Sequence, residues 1–189
     1  MPLNRQLQRI FIDAPSGRRT FVFFVLTAIV WLIFGQSLIP AFQAATNGLY
    51  PIDMSFPTTP RVMYAELAQY SAESIRIYRW FFVADIFYPP LAALMWASLW
   101  GWLLTFPVAE GSSAMARKWL WLPFGVCILD WIENLGFITV IESYPQNLPV
   151  IAWLTSIVKH TKLVVWVGQV AVTVTLLWRV AVARLRQRS

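Results

Sequence analysis

The sequence predicts an all-α fold: an integral membrane four-helix bundle with a short extracytoplasmic helical cap. Three observations carry this. Hydrophobic residues make up 58% of the 189 residues and charged residues only 13%, about half the ~25% of a soluble domain. The apolar residues fall into four runs, each near the roughly 20 residues that a helix needs to cross a bilayer. The basic residues flank those runs, as topology determinants and lipid head-group contacts do. Residues 1–189 are therefore expected to form a single membrane domain.

The first span is expected at residues 20–42, since no charge occurs between Arg19 and Asp53. A basic N-terminus before an apolar run also suits a signal peptide. The run exceeds an h-region of about 7–15 residues and lacks an Ala-x-Ala site, so we read an uncleaved span.

Residues 43–79 form the expected cap. The stretch from Asn47 to Pro60 holds one Gly and three Pro and reads as a packed loop. Thr59-Pro60 suits an N-cap followed by a first helical position, so a short helix should begin there. Ser71 can cap the next helix, which is expected to run from about Ala72 into the second span. Tyr64, Tyr70 and Tyr78 leave two roles open, a passive connector or a lid over the bundle mouth.

The second span, residues 80–106, is interrupted by Asp85, and Tyr88-Pro89-Pro90 should kink it because prolines remove backbone donors. Asp85 taken alone reads as an interfacial residue. The third span, residues 119–141, carries Asp130, Glu133 and Asn134. Charges at that depth cost several kcal/mol unless paired or hydrated. The fourth span, residues 150–178, has an apolar prefix from Leu148 to Val158, then Lys159, His160 and Lys162, and is uncharged from Leu163 onward to Trp178. That Lys-His-Thr-Lys run reads as a solvated interface.

Orientation follows from Lys and Arg. Arg5, Arg9, Arg18, Arg19, Arg117, Lys118, Arg179, Arg184, Arg186 and Arg188 lie on one side; Arg61, Arg76, Arg79, Lys159 and Lys162 lie on the other. The richer side is cytoplasmic, which predicts a multi-pass protein of the bacterial inner membrane with both termini inside. Trp100, Trp102, Trp119, Trp121 and Trp178 are expected at the inner boundary, where amphipathic rings are favoured.

Depth counted at about 1.5 Å per residue groups the polar residues. Gln36 lies about 25 Å from Arg19, Asp85 about 31 Å from Phe106, Asp130 about 18 Å and Glu133 about 22 Å from Lys118, and Lys162 about 25 Å from Arg179. All fall in the outer half of a hydrocarbon layer of about 30 Å. On the third helix Asp130 and Asn134 share a face, with Glu133 about 60° around. These positions predict that Lys162 pairs with Asp130 or Glu133 and that Asp85 closes the group. The candidate ligand-binding set is Asp85, Asp130, Glu133, Asn134, Lys162 and Gln36, with Asp130 and Glu133 as candidate catalytic groups. A network that only fixes helix register and a ligand or catalytic site both remain open.

Other motifs narrow the chemistry. The chain has no Glu-x-x-His pair of the di-iron type, no His-Glu-x-x-His or Walker A loop and no Gly-x-Ser-x-Gly. One His and one Cys disfavour zinc and haem, and Cys127 alone excludes an internal disulfide. Asp85, Asp130 and Glu133 suit a hard cation, but Lys162 opposes one; no metal or cofactor is expected. The net charge of +6 belongs to the span flanks, so no nucleic-acid partner is expected. Ala93, Ala97 and Gly101, and Ala171 with Thr175, read as close-packing seams.

Asp130-x-x-Glu133-Asn134, with Lys162 opening the fourth span, resembles small, uncharacterised bacterial four-span membrane proteins with an Asp-x-x-Glu-Asn third span. The resemblance brings no activity; it implies that Asp130, Glu133, Asn134 and Lys162 belong together. The leading expectation is an accessory or binding protein whose outer-leaflet polar pocket takes a small or lipid head-group ligand. The rivals are a lipid- or isoprenoid-modifying enzyme using Asp130 or Glu133 as acid or base, and a small transporter or proton-coupled subunit. The bilayer is the one partner the composition implies; oligomeric state and protein partners stay open.

Overall fold

The computed structural model describes residues 3–107 and 110–186; Arg188, counted above among the basic residues, lies outside the described residues. The fold is all-α, and no strand occurs among the described residues. In chain order the helices are α1 (Leu3–Gln8), α2 (Gly17–Ile33), α3 (Ile39–Ala45), α4 (Pro60–Leu67), α5 (Ala72–Leu103), α6 (Ser112–Trp119), α7 (Trp121–Ser143) and α8 (Pro149–Arg186). Wider π turns at Arg9–Asp13 and Phe34–Leu38 extend α1 and join α2 to α3. Four stretches are long and apolar enough to cross a membrane: Gly17–Ala45, Ala72–Leu103, Ser112–Ser143 and Pro149–Arg186. Large apolar side chains such as Phe21, Trp31, Trp153, Val164 and Trp178 stand exposed along them, which suits helices of a multi-pass membrane protein.

Caps fall where the sequence predicts. Val62 N donates to Thr59 Oγ1 at 3.3 Å to start α4. Ser71 and Ser74 bond reciprocally, backbone N–H to hydroxyl, at 2.9 and 3.1 Å to start α5. That satisfies donors with no intrahelical acceptor. The helix continues through Pro89 and Pro90 to Leu103.

Two compact units divide the chain: Ala28–Pro89 with Ile128–Lys162 form one, and the remaining described residues form the other. The unit containing the N-terminus packs Phe11 and Ile12 against Ala97, Trp100, Leu120 and Leu176. Gly101 is required there, because a Cβ would sit 1.7 Å from the Phe11 carbonyl oxygen. Trp100, expected at an interface, is fully buried and donates its indole N–H to Thr173 Oγ1 at 2.8 Å. Ala171 is exposed, so the buried row of α8 here runs through Gln169, Val172, Thr173, Leu176 and Val180 instead of the expected Ala171–Thr175 seam.

The second unit holds the candidate site. Its core joins Phe42, Ile52, Met63, Leu67, Tyr78, Phe137, Val140, Ile141 and Ala152. The segment between α3 and α5 is thus part of the core, through Ile52, Met63 and Leu67. Tyr64 Oη accepts the Leu148 backbone N–H at 2.6 Å, fastening α4 to the turn before α8.

Candidate functional site

Helix α7 meets α8 at a point set by one missing side chain. A Cβ on Gly136 would lie 2.0 Å from Thr155 Oγ1, so only glycine permits this approach. Stepping along the facing surfaces by three, four or seven residues leads from Gly136 to Glu133 and from Thr155 to Lys159 and Lys162. The close crossing therefore presses a carboxylate and two ammonium groups into one layer. Glu133 is 1% exposed and Lys159 3%. Burial at that level requires pairing.

Lys162 supplies it, forming ion pairs with both Asp130 and Glu133. The pairing predicted from the sequence is present, with both acids instead of one. Lys159 has different partners. Its ammonium donates to the backbone carbonyls of Asp53 and Ser55, each at 2.8 Å. It also lies 4.2 Å from the Phe56 ring centroid and 5.6 Å from that of Phe137, a cation–π arrangement. Lys159 is thus a buried anchor for the loop before α4, not the solvated residue expected. The Lys-His-Thr-Lys run splits by helical spacing: both lysines turn inward, while His160 and Thr161 stay exposed.

Helix α5 contributes Asp85 from a regular buried stripe that includes Ser74, Tyr78, Phe81 and Ala93. Asn134 Nδ2 donates to Asp85 Oδ2 at 2.7 Å, so Asp85 is a packed residue and not the interfacial one its position suggested. Trp131 borders the group, donating to the Ile86 carbonyl at 3.0 Å.

A cavity of about 380 Å³ opens beside this layer. Its polar lining is Asp53, Asp85, Asp130 and Lys162, with the Tyr88 ring. Its apolar lining is Trp31, Phe34, Gly35, Ile39, Met54 and Phe81. Phe34 packs on Phe81 at 4.6 Å between centroids and edge-on to Tyr88 at 5.9 Å. Glu133 and Asn134 do not line the cavity; they hold the residues that do. Gln36, grouped with this set by depth, is exposed and absent from the lining. Its helical phase differs from that of Phe34, a distinction that depth alone cannot make.

Two members were missed by sequence reasoning, Asp53 and Lys159. Asp53 sits in a short 3₁₀ turn, Ile52–Met54, and its Oδ1 is buried without a hydrogen-bond partner. Burial pushes its carboxyl up to about 6, opposed by its own backbone N–H, the charges of Lys159 and Lys162, and the Tyr78 hydroxyl. Glu66, which accepts from Ser55 Oγ at 2.9 Å, is also raised, again through burial. Nothing in the spacing of a Pro-rich loop marks Asp53. The three-residue separation of Lys159 and Lys162 was the available signal for the second lysine.

Comparison with protein-family models, curated proteins and solved structures finds no match to this chain.

Proposed function

We propose that this is a binding or accessory protein of the bacterial inner membrane that takes a small or lipid head-group ligand in the cavity lined by Asp53, Asp85, Asp130 and Lys162. The observation that carries the reading is the mixed lining. Ligand sites of roughly 300–1,000 Å³ combine apolar and aromatic walls with a few converging polar groups. Here four ionisable side chains face four rings, Trp31, Phe34, Phe81 and Tyr88. The charge balance of the span flanks supports a topology with both ends inside and the cavity in the outer leaflet. The resemblance to small bacterial four-span proteins supplies no activity, so geometry carries the reading alone.

Catalysis by Asp130 or Glu133 has weaker support. Lys162 neutralises both, and Glu133 does not reach the cavity lining. A transporter has weaker support still. In the other unit the buried polar groups are hydroxyls and Gln169, which offer no chain of titratable groups.

The test is native mass spectrometry of the detergent-purified chain with co-purifying lipid. Gly35 lines the cavity, and a Cβ there would meet only Trp31, at 3.9 Å. Gly35→Leu should fill the cavity without a backbone clash and remove the bound species while the protein stays folded. Undiminished binding by a folded Gly35→Leu protein would refute the reading. Turnover of a lipid extract that disappears in single carboxylate variants would replace it with the enzyme, and flux in proteoliposomes with the transporter. Labelling of single cysteines placed near each terminus tests the topology; labelling of either from outside intact cells would overturn it.

A further inference from the structure

We propose that the ligand is an organic cation, an ammonium-bearing head group or a free amine, held by Asp53 and Asp85 beside the rings of Phe34, Phe81 and Tyr88. The inference rests on the binding reading above and adds the chemical class.

The argument turns on which polar groups are already engaged. Lys162 is held by two carboxylates. Lys159 is held by two carbonyls and two ring faces. Each ammonium thus already has two oxygen partners, which leaves at most one N–H on each. The acceptors are in the opposite condition. Asp53 Oδ1 is buried with no partner, and the bond that Asp85 receives from Asn134 comes from a neutral amide. The layer counts four carboxylates, Asp53, Asp85, Asp130 and Glu133, against two ammonium groups, Lys159 and Lys162. An excess of carboxyl over ammonium groups beside an open volume suits a cation, which would pair with acids that otherwise hold a proton.

The walls select the kind of cation. Aromatic faces attract an ammonium but give a hard metal ion none of the six or more oxygens it takes. Among the described residues no three His, Cys, Asp or Glu side chains converge as a metal cage would need. A donor-bearing nitrogen between Asp53 and Asp85 pairs with carboxyl groups of the cavity lining, and its carbon substituents lie against the rings. Trp31 and Met54 are exposed members of the same lining, so the rest of the ligand can leave past them toward lipid.

The experiment measures binding of phosphatidylethanolamine, phosphatidylglycerol and free ethanolamine to the full chain in detergent, by native mass spectrometry and thermal shift. Phosphatidylethanolamine should bind about 10- to 100-fold more tightly than phosphatidylglycerol, the size of one or two charge-assisted hydrogen bonds. Asp53→Asn and Asp85→Asn should each erase that preference. The Asn side chain at 85 keeps an oxygen for Asn134, and Asp53→Asn tests the idea independently if Asp85→Asn fails to fold. Competition by free ethanolamine would place recognition in the amine alone; binding of the phospholipid only would add the acyl chains. Both results support a cationic ligand. Equal binding of the two phospholipids, unchanged by Asp53→Asn, would overturn the cation while leaving the pocket. Failure of all three probes to bind, with another species lost in Gly35→Leu, would also overturn the cation and keep the pocket. Loss of nothing in Gly35→Leu would overturn both.

Discussion

Asn134 donates its side-chain amide to Asp85 across 2.7 Å, joining α7 to α5 inside the layer of buried charge. Asp85 therefore depends on a neutral donor, while Asp130 and Glu133 share Lys162. This asymmetry makes the two halves of the layer respond differently to substitution.

Asn134→Leu should destabilise the protein by about 1–3 kcal/mol, the cost of leaving a buried acceptor without its donor. Asp85→Asn should cost less, because an amide oxygen still accepts from Asn134. Thermal unfolding in a fixed detergent reads both. An Asp85→Asn protein less stable than the Asn134→Leu protein would contradict the arrangement.

Lys162→Ala should be the more damaging change, by about 3–5 kcal/mol, since it strands two acids in a buried site. The triple variant Lys162→Met, Asp130→Asn, Glu133→Gln should recover most of that loss, because it removes the charges together. Abundance in the membrane and melting temperature are the readouts. A triple variant no better than Lys162→Ala would show that shape, and not charge, sets the requirement.

The fold class and four apolar helices were readable because hydrocarbon imposes a strict code on length and polarity. Asp130, Glu133, Asn134 and Lys162 were readable for the same reason: charge inside an apolar run demands a partner. The rest depended on information that periodicity does not carry. Gln36 shares the depth of the layer yet faces away from the cavity, since depth fixes height and leaves helical phase open. Asp53 enters the lining only because the loop before α4 folds back and Lys159 clamps its carbonyls. Packing of the N-terminal Phe11 on Gly101 was likewise invisible, as the Arg9–Asp13 turn lies outside every expected span. Trp100 was misplaced because a tryptophan near a span end suits a membrane boundary as well as a core, and its Thr173 partner is distant in sequence.

The α7–α8 crossing gives a separate prediction. Gly136→Ala places a methyl group 2.0 Å from Thr155 Oγ1 and 3.0 Å from its Cβ and Cγ2. The helices must part, at a cost of about 1–3 kcal/mol for overpacking. Thr155→Ala removes two of the three clashing atoms, so the double variant should recover part of the loss. A double-mutant cycle showing simple additivity would mean that these two residues do not limit the approach.

The last prediction concerns pH and follows from Asp53. Its carboxyl is raised by burial from 3.8 to about 6. Facing it are Lys159 and Lys162 from α8, Tyr78 and Asp85 from α5, and Tyr70 from the preceding segment. A folded-state value above the unfolded one means that the folded protein binds this proton more tightly. The associated stability is complete below the unfolded value of 3.8 and is lost as pH rises through about 6. At 1.36 kcal/mol per unit, the loss has a ceiling of about 3 kcal/mol. Asp53→Asn removes this titration, so the melting temperature of the variant relative to the parent should rise from pH 4 to pH 7 and then level off. Ligand binding should run the other way. An organic cation needs Asp53 ionised, so its affinity should fall below about pH 6 in the parent and lose that dependence in Asp53→Asn. Isothermal titration of ethanolamine at pH 5 and pH 7.5 checks the second arm. A pH dependence that persists undiminished in Asp53→Asn would assign the titration to another group of the layer.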